Sequence, residues 1–531
     1  MTGTGGSAED PYDEVPHPGF PYPETHPDRL ATIATLFGLQ PAPPDRCRVL
    51  ELGCGDGGNL IPMAWALPES RFVGVELSSR AVAAAAAEIA ALGLANIEIH
   101  RMDLREIGPS FGAFDYVIAH GLFSWVPADA REKIFQLARA HLTRHGVAYL
   151  SYDTYPGGRL REAAREMMLY HARRATDPAG KIRRARELLT ALRDASSPPD
   201  PYRVFLAAEI ERLQARSDAC LYHAELGDVY QPVYFHEFIA QAQRHGLQYL
   251  GEANFFDMAH APLPAPAAAL LADSADDLLV AEQYSDFLRC RCFRRTLLCH
   301  REAPVDRAIP PERVRKLYAA SAFAPVEDAH PQPGAAVEFR GPQGRKAVTA
   351  HPLAIAALTE PARRWPACLA FSDLLDKVQP RLEPGRPAPA ALADFLLRAC
   401  AAGVVELHVW AAPVARKAGE RPTAGALARR QALSRSEVTT FRHTTVRVEG
   451  DNEMRLSSAD QATHHRARGR RTRTTAARLA GRHARSRRPA ARSGPARLRP
   501  RTTGGEPGPP RSPRSPRVLE SAKTSRRPAD A

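Results

Sequence analysis

The sequence predicts an α/β fold with a mainly parallel sheet, and three observations carry that prediction. Short apolar runs alternate with helical stretches through the first 150 residues, the first run ends in a glycine-rich loop, and the alternation resumes after a charged helical interruption. The chain has 531 residues, 44% hydrophobic and 25% charged, enough for roughly three domains. Fibrous, collagenous and wholly disordered classes are excluded by that composition. No apolar run approaches the roughly 20 residues of a membrane helix, and Met1 to Glu14 is acidic and Gly-rich, so a cytoplasmic protein is expected. Eight cysteines scattered over this length are too dilute for a disulfide framework and fit a reducing compartment.

Taken in order, Cys47 to Leu52 reads as the first strand, Arg71 to Glu76 as the second, Ile97 to His100 as the third, Phe114 to Ala119 as the fourth and Val147 to Tyr152 as the fifth. Ala81 to Leu92 and Ala128 to Leu142 read as the clearest helices between them, the latter with Ile134, Leu137, Ala138 and Leu142 at helical spacing. Arg159 to Arg216 contains long charged helices and no strand, the mark of an insertion. Tyr234 to His245 is a helix closed by Gly246, Leu247 to Gly251 and Cys292 to Leu298 are strands, and these two are expected to complete the same sheet. Pro304 to Pro342, rich in proline and alanine, reads as a linker or irregular bridge between domains. Beyond it, Ala350 to Leu358, Ala370 to Val378 and Ala390 to Ala401 read as helices, Gly403 to Val409 as a strand and Ser436 to Val448 as its partner, an arrangement that suggests a winged helix.

The net charge of +13 is concentrated at one end. Residues 457–531 hold 20 Lys and Arg against 4 Asp and Glu, nine prolines, and no Phe, Tyr, Trp, Ile, Met or Cys. Such a segment cannot bury enough apolar surface to offset the entropy of ordering, so a disordered basic tail is expected, with non-specific affinity for nucleic acid. Its composition is also that of a shifted reading frame in GC-rich DNA. The remaining body is nearly neutral.

The sharpest candidate site is Val49-Leu-Glu51-Leu-Gly53-Cys-Gly55-Asp56-Gly57-Gly58-Asn59, where the first strand turns into a helix. Gly53, Gly55 and Gly58 alone also satisfy a dinucleotide-binding G-x-G-x-x-G. Glu51 and Asp56 break the tie: two carboxylates repel a pyrophosphate but attract the ammonium and sulfonium of S-adenosylmethionine (SAM). Glu76, 19 residues beyond Gly57 at the end of the second strand, suits the ribose hydroxyls, and Asp103 after the third suits the adenine amino group.

Through Glu51-Leu-Gly-Cys-Gly-Asp-Gly57, Gly74-Val-Glu76, Asp103 and Phe114-Asp-Tyr-Val-Ile-Ala119, the sequence resembles the Rossmann-like SAM-dependent methyltransferases. Tyr12-Asp-Glu-Val-Pro16 with Thr25-His-Pro27, Ser151-Tyr-Asp-Thr-Tyr-Pro-Gly157, Pro232-Val-Tyr-Phe-His-Glu-Phe238 and Asp286-Phe-Leu with Phe293-Arg-Arg-Thr-Leu-Leu298 are similar to a bacterial group carrying a predicted regulatory domain and a C-terminal winged helix. Rickettsial protein lysine methyltransferases have a similar layout. The resemblance covers about Tyr12 to Glu449 and implies a Rossmann-like methyltransferase sheet, SAM as cofactor and protein lysine as acceptor. In the group the last domain continues after Arg447-Val-Glu449, where this chain turns toward the basic tail.

The expected division is an N-terminal segment over the cofactor site (1–45), a SAM-binding domain (46–301) with an insertion at about 156–231, a linker (302–343), a winged-helix-like domain (344–456) and the tail (457–531). Cofactor binding is assigned to Glu51, Gly53, Gly55, Asp56, Gly57, Glu76, Asp103 and His120. His26, after the Pro16 to Pro23 stretch, belongs to the covering flap. Methyl transfer needs alignment and a neutral nucleophile, so catalytic candidates are sought after the fourth and fifth strands: His120, Tyr152 and Tyr155, with Phe123 and Trp125 as packing or channel-lining aromatics. No metal is expected. Tyr222-His223-Ala-Glu225 with His236-Glu237 has no His pair at i, i+4, and Cys290, Cys292, Cys299 and His300 lack zinc spacing. The expected partner is a methyl acceptor, with no membrane, nucleic acid only through the tail, and a homodimer compatible with the sequence. A small-molecule methyltransferase and a SAM-sensing nucleic-acid-binding protein are the alternatives.

Overall fold

In the computed structural model, the apolar runs of the first half become one mixed sheet. Its strands are β1 (Arg48–Leu52), β2 (Arg71–Glu76), β3 (Ile97–Arg101), β4 (Phe114–Ala119), β5 (Leu142–Asp153), β6 (Leu247–Glu252) and β7 (Phe293–His300). The order across the sheet is β3-β2-β1-β4-β5-β7-β6. Strands β1 to β5 run parallel, and β7 enters antiparallel between β5 and β6. The last two strands therefore complete the sheet, as their apolar runs suggested. Strand order reverses between β2-β1 and β4, which opens a crevice at the carboxyl ends of β1 and β4. The structure describes residues 11–195, 200–258, 265–273, 277–326, 335–381, 388–414, 424–434, 437–449 and 453–456, so the basic tail lies outside the described residues.

Both faces of the sheet are covered, because successive side chains leave a strand on opposite sides. Val49, Phe72, Tyr116 and Tyr149 pack into one core with the helix Pro27–Leu36, while Leu50, Val117, Leu150 and Tyr152 pack into the other with Ala128–His141 and Phe235–Arg244. The helix Ser79–Leu92 starts on Ser78, whose hydroxyl accepts from the Ala81 amide, and stops at Gly93 in the left-handed conformation.

The charged interruption folds as Gly157–Ala172, Pro178–Asp194, Pro201–Gln214 and Asp218–Glu225, around its own small core of Met168, Ala185, Leu189, Ile210, Leu213 and Leu221. Among the described residues no helix is long and apolar enough to cross a membrane.

The C-terminal part corrects two expectations. The segment read as a linker holds Tyr318–Ala320, the central strand of a three-stranded sheet, flanked by Leu369–Ala370 and Glu406–His408. It also holds Val337–Arg340, paired with Ala324–Pro325 and Lys346–Thr349. Phe323 and Phe339 are buried against Leu353, Phe371 and Leu396. These strands are two to four residues long, too short to show a period among prolines. Second, among the described residues Glu406–His408 does not pair with the segment expected as its partner: that segment contributes Glu437–Thr439 and Thr445–Glu449, which pair with each other. The helices Pro352–Arg364, Phe371–Val378 and Ala388–Ala401 lie where helical spacing placed them.

The N-terminal helix binds this part to the sheet. Leu36 is buried in the C-terminal core, and Asp28 accepts from His408 Nδ1 at 2.6 Å and from the amides of Val409 and Trp410 at 3.0 and 2.9 Å.

Candidate functional site

A cavity of about 1200 Å³ opens at the carboxyl ends of β1, β2 and β4, walled by the glycine loop, the N-terminal segment and the insertion. Gly53, Gly55 and Gly57 all have positive φ, at 70°, 55° and 75°, which β1 needs to turn sharply into the helix Leu60–Ala66. A Cβ on Gly55 would meet nothing within 4 Å, so here the loop backbone faces open space.

The N-terminal segment lies directly on this loop. Gly19 and Gly58 touch backbone to backbone: a Cβ on Gly58 would come within 2.4 Å of the Gly19 carbonyl carbon, and one on Gly19 within 2.0 Å of Asp56 Oδ1. Asp56 bridges the two, Oδ1 accepting from the Gly58 amide at 3.0 Å and Oδ2 from the Gly19 amide at 3.3 Å. Further back, Asp13 accepts from both Ser78 and Ser79 hydroxyls, at 2.5 and 2.8 Å. Residues 16–22 thus cover the cavity, while His26 stands behind it, its Nδ1 accepting from the Asp28 amide at the start of Pro27–Leu36.

Glu51 is 3% exposed. Its Oε1 accepts from Asn59 Nδ2 at 2.7 Å, and its Oε2 is buried with no hydrogen-bond partner. Burial pushes its carboxyl up to about 8, with the Asn59 hydrogen bond pulling down and Glu76 adding repulsion. The unpartnered oxygen of this carboxyl, on a residue of the cavity wall, fits a cationic group, which would draw off the proton on binding. Glu76 Oε2 accepts from the Gly55 amide at 2.9 Å, and its Oε1 from the amides of Leu77 and Ser78 at 2.8 and 2.9 Å, which holds the carboxylate at the rim. Asp103 lines the far end, and Arg105 forks onto it, holding its carboxyl below the usual range.

His120 follows β4 into the cavity. Its ring stacks on Tyr22 with centroids 3.6 Å apart, and Nδ1 lies 2.9 Å from Tyr149 Oη. Burial, with Arg295 nearby, holds the imidazole down to about 3, so it is neutral and a poor proton acceptor. The two tyrosine assignments are corrected. Tyr152 faces the opposite core, stacks on Phe238 at 3.9 Å and has its hydroxyl 3.1 Å from Thr296 Oγ1. Tyr155 donates to Glu162 at 2.7 Å, under Arg159, and neither tyrosine lines the cavity.

Strand alternation explains the error. Tyr149, Ser151 and Asp153 share one face of β5, and there Ser151 Oγ accepts from the Gly121 amide at 2.7 Å. Asp153, between the two tyrosines, is the member of the Tyr152 to Tyr155 segment that lines the cavity. Its carboxylate pairs with Arg161 at 2.8 Å, and burial pushes it up to about 6 against the pull of Arg161. Trp125, Tyr230, Phe293, Arg216 and Glu225 join it on that wall, whereas Phe123 is fully buried in the core. Asn59, Tyr22, Asp153 and Tyr230 were missed as site residues. Period-two counting along β5 would have found Asp153; nothing local marks Tyr22 or Tyr230.

Residues 49–146 match the family model of a methyltransferase domain, and residues 217–300 that of a predicted methyltransferase regulatory domain. PKMT2 from Rickettsia typhi, solved in complex with AdoHcy, superposes on 82% of this chain and 86% of its own with a TM-score of 0.73 at 27% identity. The chain belongs to the SAM-dependent methyltransferases. This methyltransferase is also 34% identical over 234 residues to uncharacterized protein RP028 of Rickettsia prowazekii, covering 44% of this chain and 94% of that protein. It is 41% identical over 318 residues to uncharacterized protein RP789 of the same organism, covering 60% of this chain but only 57% of that protein's length. The regulatory match includes β6, β7 and the helices between them, so in this methyltransferase that region supplies two strands of the catalytic sheet.

Proposed function

We propose that this methyltransferase transfers a methyl group from SAM to the side-chain amine of a protein lysine. The observation that carries the cofactor half is Glu51 Oε2, a buried carboxylate oxygen with no partner on the wall of a glycine-lined cavity. Glu51 would accept the α-ammonium of SAM, Gly53, Gly55 and Gly57 would give the methionine end room against the backbone, Glu76 would accept from the ribose hydroxyls, and Asp103 would close the adenine end. Asp56 acts one step removed, by clasping residues 16–22 over the loop. SAM, when bound, supplies a methyl already activated on a sulfonium, so the protein has to align and deprotonate the acceptor.

For a lysine with a solution pKa of about 10.4, the amine must be made neutral. The wall that would receive it carries Trp125, Tyr230 and Phe293 for the alkyl chain, and Arg161, Arg216 and Arg295, whose charges oppose an ammonium. Asp153, on the same cavity and ionised above about pH 6, would take the proton. His120 and Tyr22 form a stacked neutral surface that orients the acceptor. Support for lysine comes from the likeness to PKMT2 and from the layout shared with rickettsial protein lysine methyltransferases.

The test is incubation of the full chain with tritiated SAM and bacterial lysate, followed by acid hydrolysis and amino-acid analysis. Label is expected in methyllysine and is expected to drop at least tenfold in Asp153→Asn. Label confined to a solvent-extractable metabolite or to nuclease-sensitive material would refute the lysine assignment.

A further inference from the structure

The hairpin between Glu437–Thr439 and Thr445–Glu449 belongs to the C-terminal part, yet its tip reaches the cofactor loop. Three consecutive residues divide the work. Phe441 packs on Trp65, in the helix that follows the glycine loop, with ring centroids 4.8 Å apart. Arg442 turns the other way, pairing with Glu406 and lying 4.3 Å over the Trp365 ring. His443, buried and left-handed at φ 59°, sends Nε2 to within 2.7 Å of Asn59 Oδ1.

The direction of that bond follows from its neighbours. Asn59 Oδ1 also accepts from the Tyr22 amide at 3.0 Å, so it is an acceptor and His443 Nε2 carries the hydrogen. On its other side Asn59 Nδ2 donates to Glu51 Oε1 at 2.7 Å. The chain of donors runs in one sense, from His443 through Asn59 to one oxygen of Glu51, and leaves the second oxygen, buried beside the cavity, without a hydrogen-bond partner. Burial holds the His443 imidazole well below its ordinary range, which keeps it neutral in this role.

We infer that His443 is a positioning residue for the cofactor: its Nε2 hydrogen fixes the Asn59 carboxamide, which in turn holds Glu51 so that Oε2 is presented to the SAM ammonium. The C-terminal hairpin is thereby part of the cofactor site, and binding at one must strengthen docking at the other. The inference rests on the assignment of Glu51 above, and the experiment separates the two.

Full-length wild type, His443→Leu, His443→Gln and Glu51→Gln are titrated with SAM by calorimetry. His443→Leu is expected to weaken SAM binding about tenfold, the size of one hydrogen bond, with the acceptor KM unchanged. His443→Gln is expected to recover most of that loss, because its carboxamide can donate and both variants place a Cβ in the same left-handed backbone. Glu51→Gln combined with His443→Leu is expected to bind no worse than Glu51→Gln alone, since the two act in series. Wild-type affinity in His443→Leu, equal loss in His443→Gln, or full additivity in the double variant would each overturn the inference while leaving the Glu51 assignment intact. Failure of the wild type to bind SAM would overturn the assignment itself. Should His443→Leu not fold, hydrogen exchange of the wild type decides: saturating SAM is expected to slow exchange at Thr440 to Thr445, and unchanged exchange there would overturn the coupling.

Discussion

Replacing Glu51 by Gln removes one ionisable group and changes almost no volume, and its consequences can be worked out in sign and size. Burial raises the Glu51 carboxyl from its ordinary 4.5 to about 8 in the folded protein. Between those two values the folded chain keeps a proton that the unfolded chain has released, so the contribution to stability is complete below about pH 4.5 and is lost as pH climbs through 8. That loss amounts to up to about 5 kcal/mol. The Gln variant cannot titrate and is expected to unfold at a higher temperature than wild type at pH 9, with the difference shrinking toward pH 5. Cofactor binding should invert the ranking. A cationic ammonium needs the carboxylate, so SAM binding to wild type must expel close to one proton at pH 6 to 7, and its affinity is expected to rise about tenfold per pH unit up to about pH 8. In Glu51→Gln the affinity should be at least about a hundredfold lower at pH 8, the loss of a buried charge-assisted contact of about 3 kcal/mol, and flat with pH. Calorimetry in buffers of different ionisation enthalpy measures the proton release directly. Proton-free binding, or a Gln variant as tight as wild type at pH 8, would refute the reasoning.

Gly58→Ala places a methyl group 2.4 Å from the Gly19 carbonyl carbon, and it is expected to lift residues 16–22 off the loop, seen as faster proteolysis near Gly19 and at least tenfold faster SAM release in stopped-flow. Tyr152→Phe loses only a hydroxyl next to Thr296 in the core, so thermal unfolding should shift by about 1 kcal/mol while kcat stays within twofold of wild type. His26 is held down to about 4 by burial, so the unfolded chain takes up a proton that the folded chain refuses, and stability is lost as pH falls from 6.5 toward 4. His26→Asn keeps a helix-capping side chain, and urea unfolding at pH 7 and pH 5 should show about 2 kcal/mol less acid destabilisation than in wild type.

Much of the cofactor side was legible because it is local. Glu51, the glycines and Asp56 lie within seven consecutive positions, and Glu76 ends the strand that pairs with β1, so finding the strands places these groups together. The acceptor side was less legible. Side-chain chemistry points to Tyr152 and Tyr155 around the end of β5, but the pleat sends Tyr152 to the far core, and Tyr155 is turned onto Glu162 by the start of the insertion. The segment around Tyr318–Ala320 misled for the opposite reason: it forms a strand only because Leu369–Ala370 and Glu406–His408 lie on either side of it, and three residues carry too little pattern to announce that.

By itself the sequence determined the sheet-forming runs, the turn that follows β1, and the acidic character of the cofactor crevice, since each depends on residues a few positions apart whose spacing follows the geometry of a strand or a helix turn. Only the tertiary structure decided which face of β5 meets the cavity, that residues 16–22 cover it, and that His443, 384 positions beyond Asn59, completes the hydrogen-bond chain to Glu51. Those contacts join segments whose local patterns carry no record of one another. They exist because burying the N-terminal helix and the hairpin against the sheet removes apolar surface from water, and the polar groups carried along must then find partners where they land.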